Sequence, residues 1–345
     1  MRARLEASRR GVLSVAAVLC TALCAAGCGE VHARLRLGAA RPVTVALNGP
    51  PGALYAPLYE ARANSDFRKG ALAVSIVPAR HGDALGALES RRAAIAVTTE
   101  PDLLTARDSG ARLVAIGALI TEPLDAIVSL QSRPVAAPAA LAGQTVATTG
   151  TPLAGAQLET VLGTAGVPTA RVRTVTVPEA GLVAALTRPG SRVHATLGGP
   201  WPIQLVTLDR AHHNAIELGL PQAGVPLYSG LVLAVRVGEA RYHGPLLRAF
   251  MQSLSRGAQA VAANPAAAAV TVVRADPRLR VGFERAVLGL TVPITSSQTE
   301  TEPFGYQDPR RWQAFGVWMR SHGLLHNPGN TGLAITDEFL PGQGE

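Results

Sequence analysis

The amino-acid sequence predicts an α/β protein built as two lobes, on three observations. From residue 42 onward, short apolar runs of strand length alternate with helical patterns, the pattern of parallel βαβ units packed into a sheet. The alternation breaks at a Pro- and Ala-rich stretch, residues 132–140, and then restarts as a second block. A long apolar run, Leu231–Val237, follows that block and can return the chain to the first sheet.

Taken in order, Val43–Leu47 reads as a buried strand and Ala53–Arg62 as a helix carrying Leu54, Leu58 and Ala61 on one face. Pro57 falls early in that helix and should delay its start. Leu72–Val77 and Ala93–Val97 are further strands, separated by a helix over Asp83–Ser90. Pro101–Ser109 is a helix with proline at its first position and Gly110 after its end. Val114–Leu119 and Ala126–Leu130 complete the first block. Beyond the Pro- and Ala-rich stretch come strand Thr145–Thr148, helix Ala154–Ala165, strand Val172–Val177, helix Glu179–Thr187 and strand Ala195–Gly198. The C-terminal part reads as helices His243–Ala263, Pro265–Arg274, Pro277–Leu290 and Pro309–His322. The expected organisation is therefore 42–130 in lobe 1, 131–230 in lobe 2, and 231–345 back in lobe 1.

The first 41 residues read differently. Arg2, Arg4, Arg9 and Arg10 precede an apolar run, Gly11–Ala26, that ends in Ala25-Ala26-Gly27-Cys28. That run is 16 residues long, short of the roughly 20 needed to span a bilayer. Charge, a short apolar stretch, small residues and then cysteine form a lipoprotein export signal. Cleavage before Cys28 and acylation of its sulfur would leave residues 28–41 as a tether to the outer face of a bacterial cytoplasmic membrane. Ala25 stands where such signals prefer leucine. Ser8-Arg9-Arg10-Gly11 also fits a twin-arginine pattern, and either export route ends outside the cytoplasm.

Composition limits the chemistry. Cys20 and Cys24 leave with the signal, so the mature chain keeps only Cys28 and has no disulfide or free thiol nucleophile. The net charge of +8 falls to about +5 once the signal's four arginines and Glu6 are gone. That charge is too small and too dispersed for nucleic acid. Lys69 is the single lysine and sits in a polar Arg68-Lys69-Gly70 turn, a poor place for a Schiff base. His212-His213 are adjacent and diverge, while His81, His194 and His243 have no ligand spacing. Neither a Gly-x-Ser-x-Gly elbow nor a His-Glu-x-x-His motif is present. No catalytic or metal site is therefore expected.

Four strand-to-helix turns are the candidate ligand contacts: Asn48-Gly49-Pro50-Pro51-Gly52, Thr98-Thr99-Glu100-Pro101, Thr148-Thr149-Gly150-Thr151-Pro152 and Gly198-Gly199-Pro200-Trp201. Each puts free amides or hydroxyls at the carboxyl end of a strand, where ligands of open α/β sheets collect. Each could equally be an ordinary helix cap. Trp312, Phe315, Trp318 and Met319 share helical spacing and are expected in the core.

Pro303-Phe304-Gly305-Tyr306-Gln307-Asp308, followed by Trp312, Trp318-Met319 and Gly323-Leu324-Leu325, resembles the C-terminal signature of the SsuA/NMT-THI-like solute-binding proteins. That group includes binding proteins for pyrimidine precursors of thiamine. Leu47–Ala61, Ile95–Arg107 with Glu100-Pro101-Asp102, Leu141–Val146, Gly198-Gly199 with Trp201, and Gly224-Val225-Pro226 with Tyr228 are similar in the same order. The resemblance implies a type II periplasmic-binding fold with two α/β lobes, a cleft and a two-strand hinge. It further implies ligand contacts from Asn48 and Tyr55, hydrogen bonds from Thr98 and Glu100, polar contacts from Thr149 and Thr151, and aromatic walls from Trp201 and Tyr228. Three positions depart from the family pattern. Gly49 stands for a tryptophan, Tyr55 for a histidine and Gly230 for a glutamate. The implied protein is the monomeric receptor of an ABC importer, which captures a small heteroaromatic solute and delivers it to permease subunits. Sulfonate, nitrate or flavin-precursor solutes, and a sensor role without transport, remain open. Enzymatic relatives that make the pyrimidine carry a cysteine-rich signature absent here, so neither catalysis nor a cofactor is expected.

Overall fold

A computed structural model describes residues 40–345, apart from 297, 298, 300, 328–330, 344 and 345. Cys28 and the rest of the export signal and tether up to residue 39 lie outside the described residues. Among the described residues, ten strands form two five-stranded sheets. The first contains β1 (Arg41–Leu47), β2 (Leu72–Pro78), β3 (Ile95–Thr98), β4 (Leu113–Ile120) and β10 (Leu231–Arg236), in the order β2-β1-β3-β10-β4. The second contains β5 (Ala126–Leu130), β6 (Thr145–Thr148), β7 (Arg173–Thr176), β8 (Val193–Leu197) and β9 (Ala215–Gly219), in the order β7-β6-β8-β5-β9.

Each sheet holds parallel strands with one antiparallel strand inserted among them. β1 runs parallel to β2 and β3, while β10 is antiparallel to both of its neighbours, β3 and β4. In the second sheet β6 runs parallel to β7 and β8, and β5 is antiparallel to β8 and β9. The inserted strand is in each case the one that has just arrived from the other lobe. An antiparallel strand starts where its parallel neighbours end, so both crossing passages, residues 121–125 and 220–230, leave and enter at the carboxyl ends of the strands. The two rows of carboxyl ends therefore meet at the crossings.

This arrangement corrects the expected lobe boundary. Ala126–Leu130 belongs to the second sheet, pairing through Ile127 with Leu197 and Leu218, so the first crossing is residues 121–125. The Pro- and Ala-rich stretch 132–140 lies within the second lobe and ends in the short turn Pro138–Leu141. All five residues of β5, AIVSL, are buried, and a short, mostly apolar run carries no information about which sheet it joins. Edge strand β9, only partly buried, helix Trp201–Arg210 and the short helices Asp66–Lys69 and Val237–Tyr242 have no counterpart in the sequence reading.

Local signals explain most helix starts. Thr99, Thr151, Asn264 and Asp308 each accept a backbone N–H at the head of a helix, with proline at the first or second position. Before Pro57 the chain makes a 3-10 turn, Ala53–Tyr55, and the α-helix spans Ala56–Ala63. The helix expected from Pro277 begins at Val281, because Asp276 folds the preceding turn by accepting from Arg278 Nε at 2.9 Å and Nη2 at 2.6 Å.

Three apolar clusters fill the molecule. One lies under the first sheet, against helices Ala56–Ala63, Gly244–Ala263 and Pro265–Ala275. A second joins both lobes through Trp312, Phe315, Trp318 and Met319 of helix Pro309–Ser321, all four buried. The third belongs to the second lobe. No described helix is long and apolar enough to cross a membrane.

Helices Gly244–Ala263 and Ala56–Ala63 approach closely at Gly257, where a Cβ would meet the carbonyl of Pro57 and lie 2.9 Å from Ala61 N. Gly257→Ala should therefore destabilise the fold by about 1–3 kcal/mol, the usual cost of overpacking. Denaturant unfolding measures this, and an unchanged midpoint would show that the contact gives way freely.

Candidate functional site

A cavity of about 690 Å³ lies where the two rows of strand ends meet. Its lining comes from both sheets and both crossings, which follows directly from the two inserted strands. From the first lobe, the turn after β1 contributes residues 48–52 and Tyr55. The Tyr55 hydroxyl donates to Asn48 Oδ1 at 2.8 Å. Burial pushes its phenol well above the ordinary range, with neighbouring Tyr59 and Glu179 adding to the shift. A Cβ at Gly49 would stand 2.9 Å from this hydroxyl. Tyr55 thus occupies the space a larger residue 49 would need, and the two departures from the family pattern form a matched pair.

From the second lobe come Thr149 and Thr151, whose hydroxyls lie 3.4 Å apart. Thr151 also caps helix Pro152–Thr164 by accepting from Ala154 N at 3.2 Å. Gly150 between them has φ 73°, a conformation that favours glycine. Gly198, Gly199 and Pro200 line the cavity after β8.

The crossings supply the floor. Asp125 from the first and Tyr228 from the second are joined there by Gln157 of helix Pro152–Thr164. Asp125 Oδ2 accepts from the Tyr228 hydroxyl at 3.2 Å and from Gln157 Nε2 at 3.3 Å, and Gln157 Nε2 lies 3.0 Å from the Tyr228 oxygen. Tyr228 is braced from behind by Phe315, stacked at 4.4 Å, which in turn stacks on Trp318 at 5.3 Å. Trp318 Nε1 donates to Thr160 Oγ1 of the second lobe at 2.9 Å.

Of the eight predicted ligand residues, Asn48, Tyr55, Thr149, Thr151 and Tyr228 line the cavity. Three do not. Thr98 is a buried strand residue, 2% exposed; the cavity instead meets its neighbour Thr99, along with Pro101 and Asp102. Glu100 turns to the opposite side, onto a separate cavity of about 160 Å³. There its Oε2 accepts from Ser229 N at 2.8 Å, while its own N–H donates to Ser229 O at 3.3 Å. Trp201 packs its ring against the first and third apolar clusters and ties its backbone N–H to Leu124 O at 2.9 Å. The aromatic wall expected of Trp201 comes instead from Phe283, on helix Val281–Thr291.

Sequence reasoning also missed Asp102, Asp125, Glu179, Glu284 and Gln157, all of which line the cavity. Asp125 ends the short passage Thr121-Glu122-Pro123-Leu124-Asp125 between β4 and β5, and nothing in the sequence set it apart from Glu122. Glu284 is buried, accepts from Ala53 N at 2.7 Å and is held above the usual carboxylate range by that burial. Asp125 is raised by desolvation first, with Glu179 and Asp102 pushing the same way and the hydrogen bonds from Gln157 and Tyr228 opposing. No Arg, Lys or His is among the described lining residues, and they contain no cluster of side chains suited to a metal ion.

Comparison with known proteins agrees with this geometry. The profile described as NMT1/THI5 like matches residues 53–268. The chain is 26% identical over 289 residues to the formylaminopyrimidine-binding protein of Halalkalibacterium halodurans, covering 83% of this chain and 87% of that one. It is 25% identical over 311 residues to the riboflavin-binding protein RibY of Chloroflexus aurantiacus, covering 87% and 86%. Among solved structures, the periplasmic aliphatic sulphonate binding protein SsuA of Escherichia coli superposes with a TM-score of 0.66 at 15% identity, over 85% of this chain and 96% of that one. The desulfurization enzyme DSZB superposes at 0.59 with 13% identity, over 87% and 97%. The fold is that of periplasmic solute-binding proteins, and it also carries an enzyme.

Glu100 generates a pH test. Burial raises its carboxyl from the usual value of 4.5 to about 8, against the opposing hydrogen bond from Ser229. Between those values the folded chain keeps a proton that the unfolded chain has released, so stability falls as pH rises through the window. Glu100→Gln keeps an acceptor for Ser229 and removes the charge. It should raise the melting temperature more at a pH of about 8.5 than at about 5; equal shifts at both would rule out a buried ionisation.

Proposed function

Because the chain belongs to the NMT1/THI5-like family, we propose that it is the extracytoplasmic solute-binding receptor of an ABC importer, capturing a small heteroaromatic solute related to the thiamine pyrimidine precursors. The single observation that carries this reading is the cavity of about 690 Å³ walled from both lobes and floored by both crossings. A solute held there touches groups that only a closed arrangement brings together. Those extra contacts are what can favour closure over the open form. The closed receptor then docks on its permease subunits.

The heteroaromatic class rests on the lining. Tyr55, Tyr228 and Phe283 offer ring faces, and Asn48, Thr149, Thr151, Asp125 and Gln157 offer hydrogen-bonding groups. A slot of this size, apolar with a few polar groups, suits a small ring system. The names of the two relatives, formylaminopyrimidine-binding and riboflavin-binding, both point to nitrogen heterocycles. A sulfonate or nitrate would find only backbone amides and hydroxyls there beside carboxylates, since no Arg, Lys or His is among the described lining residues. Binding without turnover is part of the proposal: no cysteine, lysine or histidine is among the described lining residues, so thiolate, Schiff-base and imidazole chemistry have no residue there. Residues 1–27 act as the export signal, and lipidated Cys28 with residues 28–41 tethers a monomeric receptor beside its permease.

The direct test is thermal unfolding of the purified protein against a panel of aminopyrimidines, flavins and alkanesulfonates. A ligand at 100 times its dissociation constant stabilises by about 2.7 kcal/mol, which corresponds to a shift of several degrees for a chain of this size. A nitrogen heterocycle should give that shift. A shift with alkanesulfonates alone would overturn the heteroaromatic reading, and no shift across the panel would overturn the receptor reading for these solutes.

A further inference from the structure

We propose that the floor of the inter-lobe cavity selects a positively charged solute, an ammonium-, amidinium- or protonated amine-bearing heterocycle, and that Asp125 is the residue that reads the charge. This inference rests on the cavity being the solute site.

The floor has acceptors and lacks donors. Gln157 is fully buried and its Oε1 has no hydrogen-bond partner. Its amide nitrogen is already committed to Asp125 and Tyr228. Both bonds to Asp125 fall on Oδ2, so Oδ1 has no partner among the described residues. Gln157 Oε1 is a buried acceptor left unmade, which costs free energy, and the part-buried Asp125 adds a second unpartnered acceptor beside it through the Asp125–Gln157–Tyr228 network. The partner they lack is a group carrying several N–H donors.

Charge points the same way. Part-buried Asp125 lies in the same lining as buried Glu284 and the exposed Asp102 and Glu179, and no basic side chain is among the described residues there. The guanidinium of Arg210 lies 5.7 Å from the centre of the Phe283 ring but is not part of the lining. Structural carboxylates removed from water are ordinarily paired with a cation from the protein. Here none is supplied, and desolvation leaves Asp125 held above the usual carboxylate range. A cationic solute provides the missing counter-charge and satisfies Asp125 Oδ1 and Gln157 Oε1 together. Such charge-assisted hydrogen bonds are about twice as strong as neutral ones. An anionic solute would instead meet four carboxylates.

Isothermal titration of the purified protein with three probes tests this: an aminomethylpyrimidine bearing an ammonium group, its N-formyl derivative with the same ring and no charge, and an alkanesulfonate. At neutral pH the ammonium probe should bind about tenfold or more tighter than the formyl derivative, and the sulfonate should not bind. Asp125→Asn keeps the acceptor for Tyr228 and Gln157. It should cost the ammonium probe about tenfold while moving the formyl derivative by less than about threefold. Glu179→Gln, on the opposite lobe from Asp102, serves as a second variant with the same direction and a smaller effect. Equal or tighter binding of the formyl derivative would overturn the charge inference and leave the receptor reading intact. Tightest binding of the sulfonate would overturn both. Binding of none of the three would remove the heteroaromatic site on which the inference rests.

Discussion

Everything in this structure depends on two strand insertions. β10 enters the first sheet between β3 and β4, and β5 enters the second between β8 and β9, each antiparallel to its neighbours. An antiparallel strand must begin where parallel strands end. Both crossings are therefore held at the carboxyl ends of both sheets, and the helix-capping turns of both lobes converge on one cavity. The loops that could touch a solute are adjacent because backbone pairing leaves them nowhere else to go.

The crossing region also holds a buried polar network braced by stacked rings. Asp125 and Tyr228, one from each crossing, are linked through Gln157. Behind them the Tyr228, Phe315 and Trp318 rings stack in sequence and end on Thr160 of the second lobe. On the other side Glu100 clamps Ser229 of the second crossing to the first lobe. Stacked rings contribute about 0.5–1.5 kcal/mol each beyond their burial, while the polar network links the two crossings and leaves Gln157 Oε1 and Glu100 Oε1 without a partner. The two crossings are thus held together at the floor of the cavity by ring stacking and by hydrogen bonds.

Much of the site was legible in the sequence for a simple reason. In a parallel sheet, the turn after each strand lies at the ligand end, so finding the strand finds the turn. Asn48, Thr149 and Thr151 lie in such turns, whereas Tyr55 was named only by the family resemblance. The errors came one residue at a time. Thr98 is buried while Thr99 lines the cavity, and Trp201 packs inward while Pro200 before it lines the cavity. Successive side chains at a strand end point to opposite faces, and spacing does not reveal which face the cleft will occupy. Asp125, Gln157, Phe283 and Glu284 were invisible for another reason: each comes from a segment with no motif and reaches the cavity only through long-range packing.

The sequence by itself determined the α/β class, the succession of strands and helices, the aromatic core of helix Pro309–Ser321 and the strand-end turns. These are local consequences of apolar periodicity, proline and glycine placement, and capping. Tertiary structure alone decided which sheet the mostly apolar strand β5 joins, and therefore where the lobes divide. It also decided that four carboxylates share a cavity with no described basic side chain. The physical reason is the same in both cases. An apolar run satisfies either sheet equally, and a lone carboxylate has no meaning until folding shows which charges stand beside it.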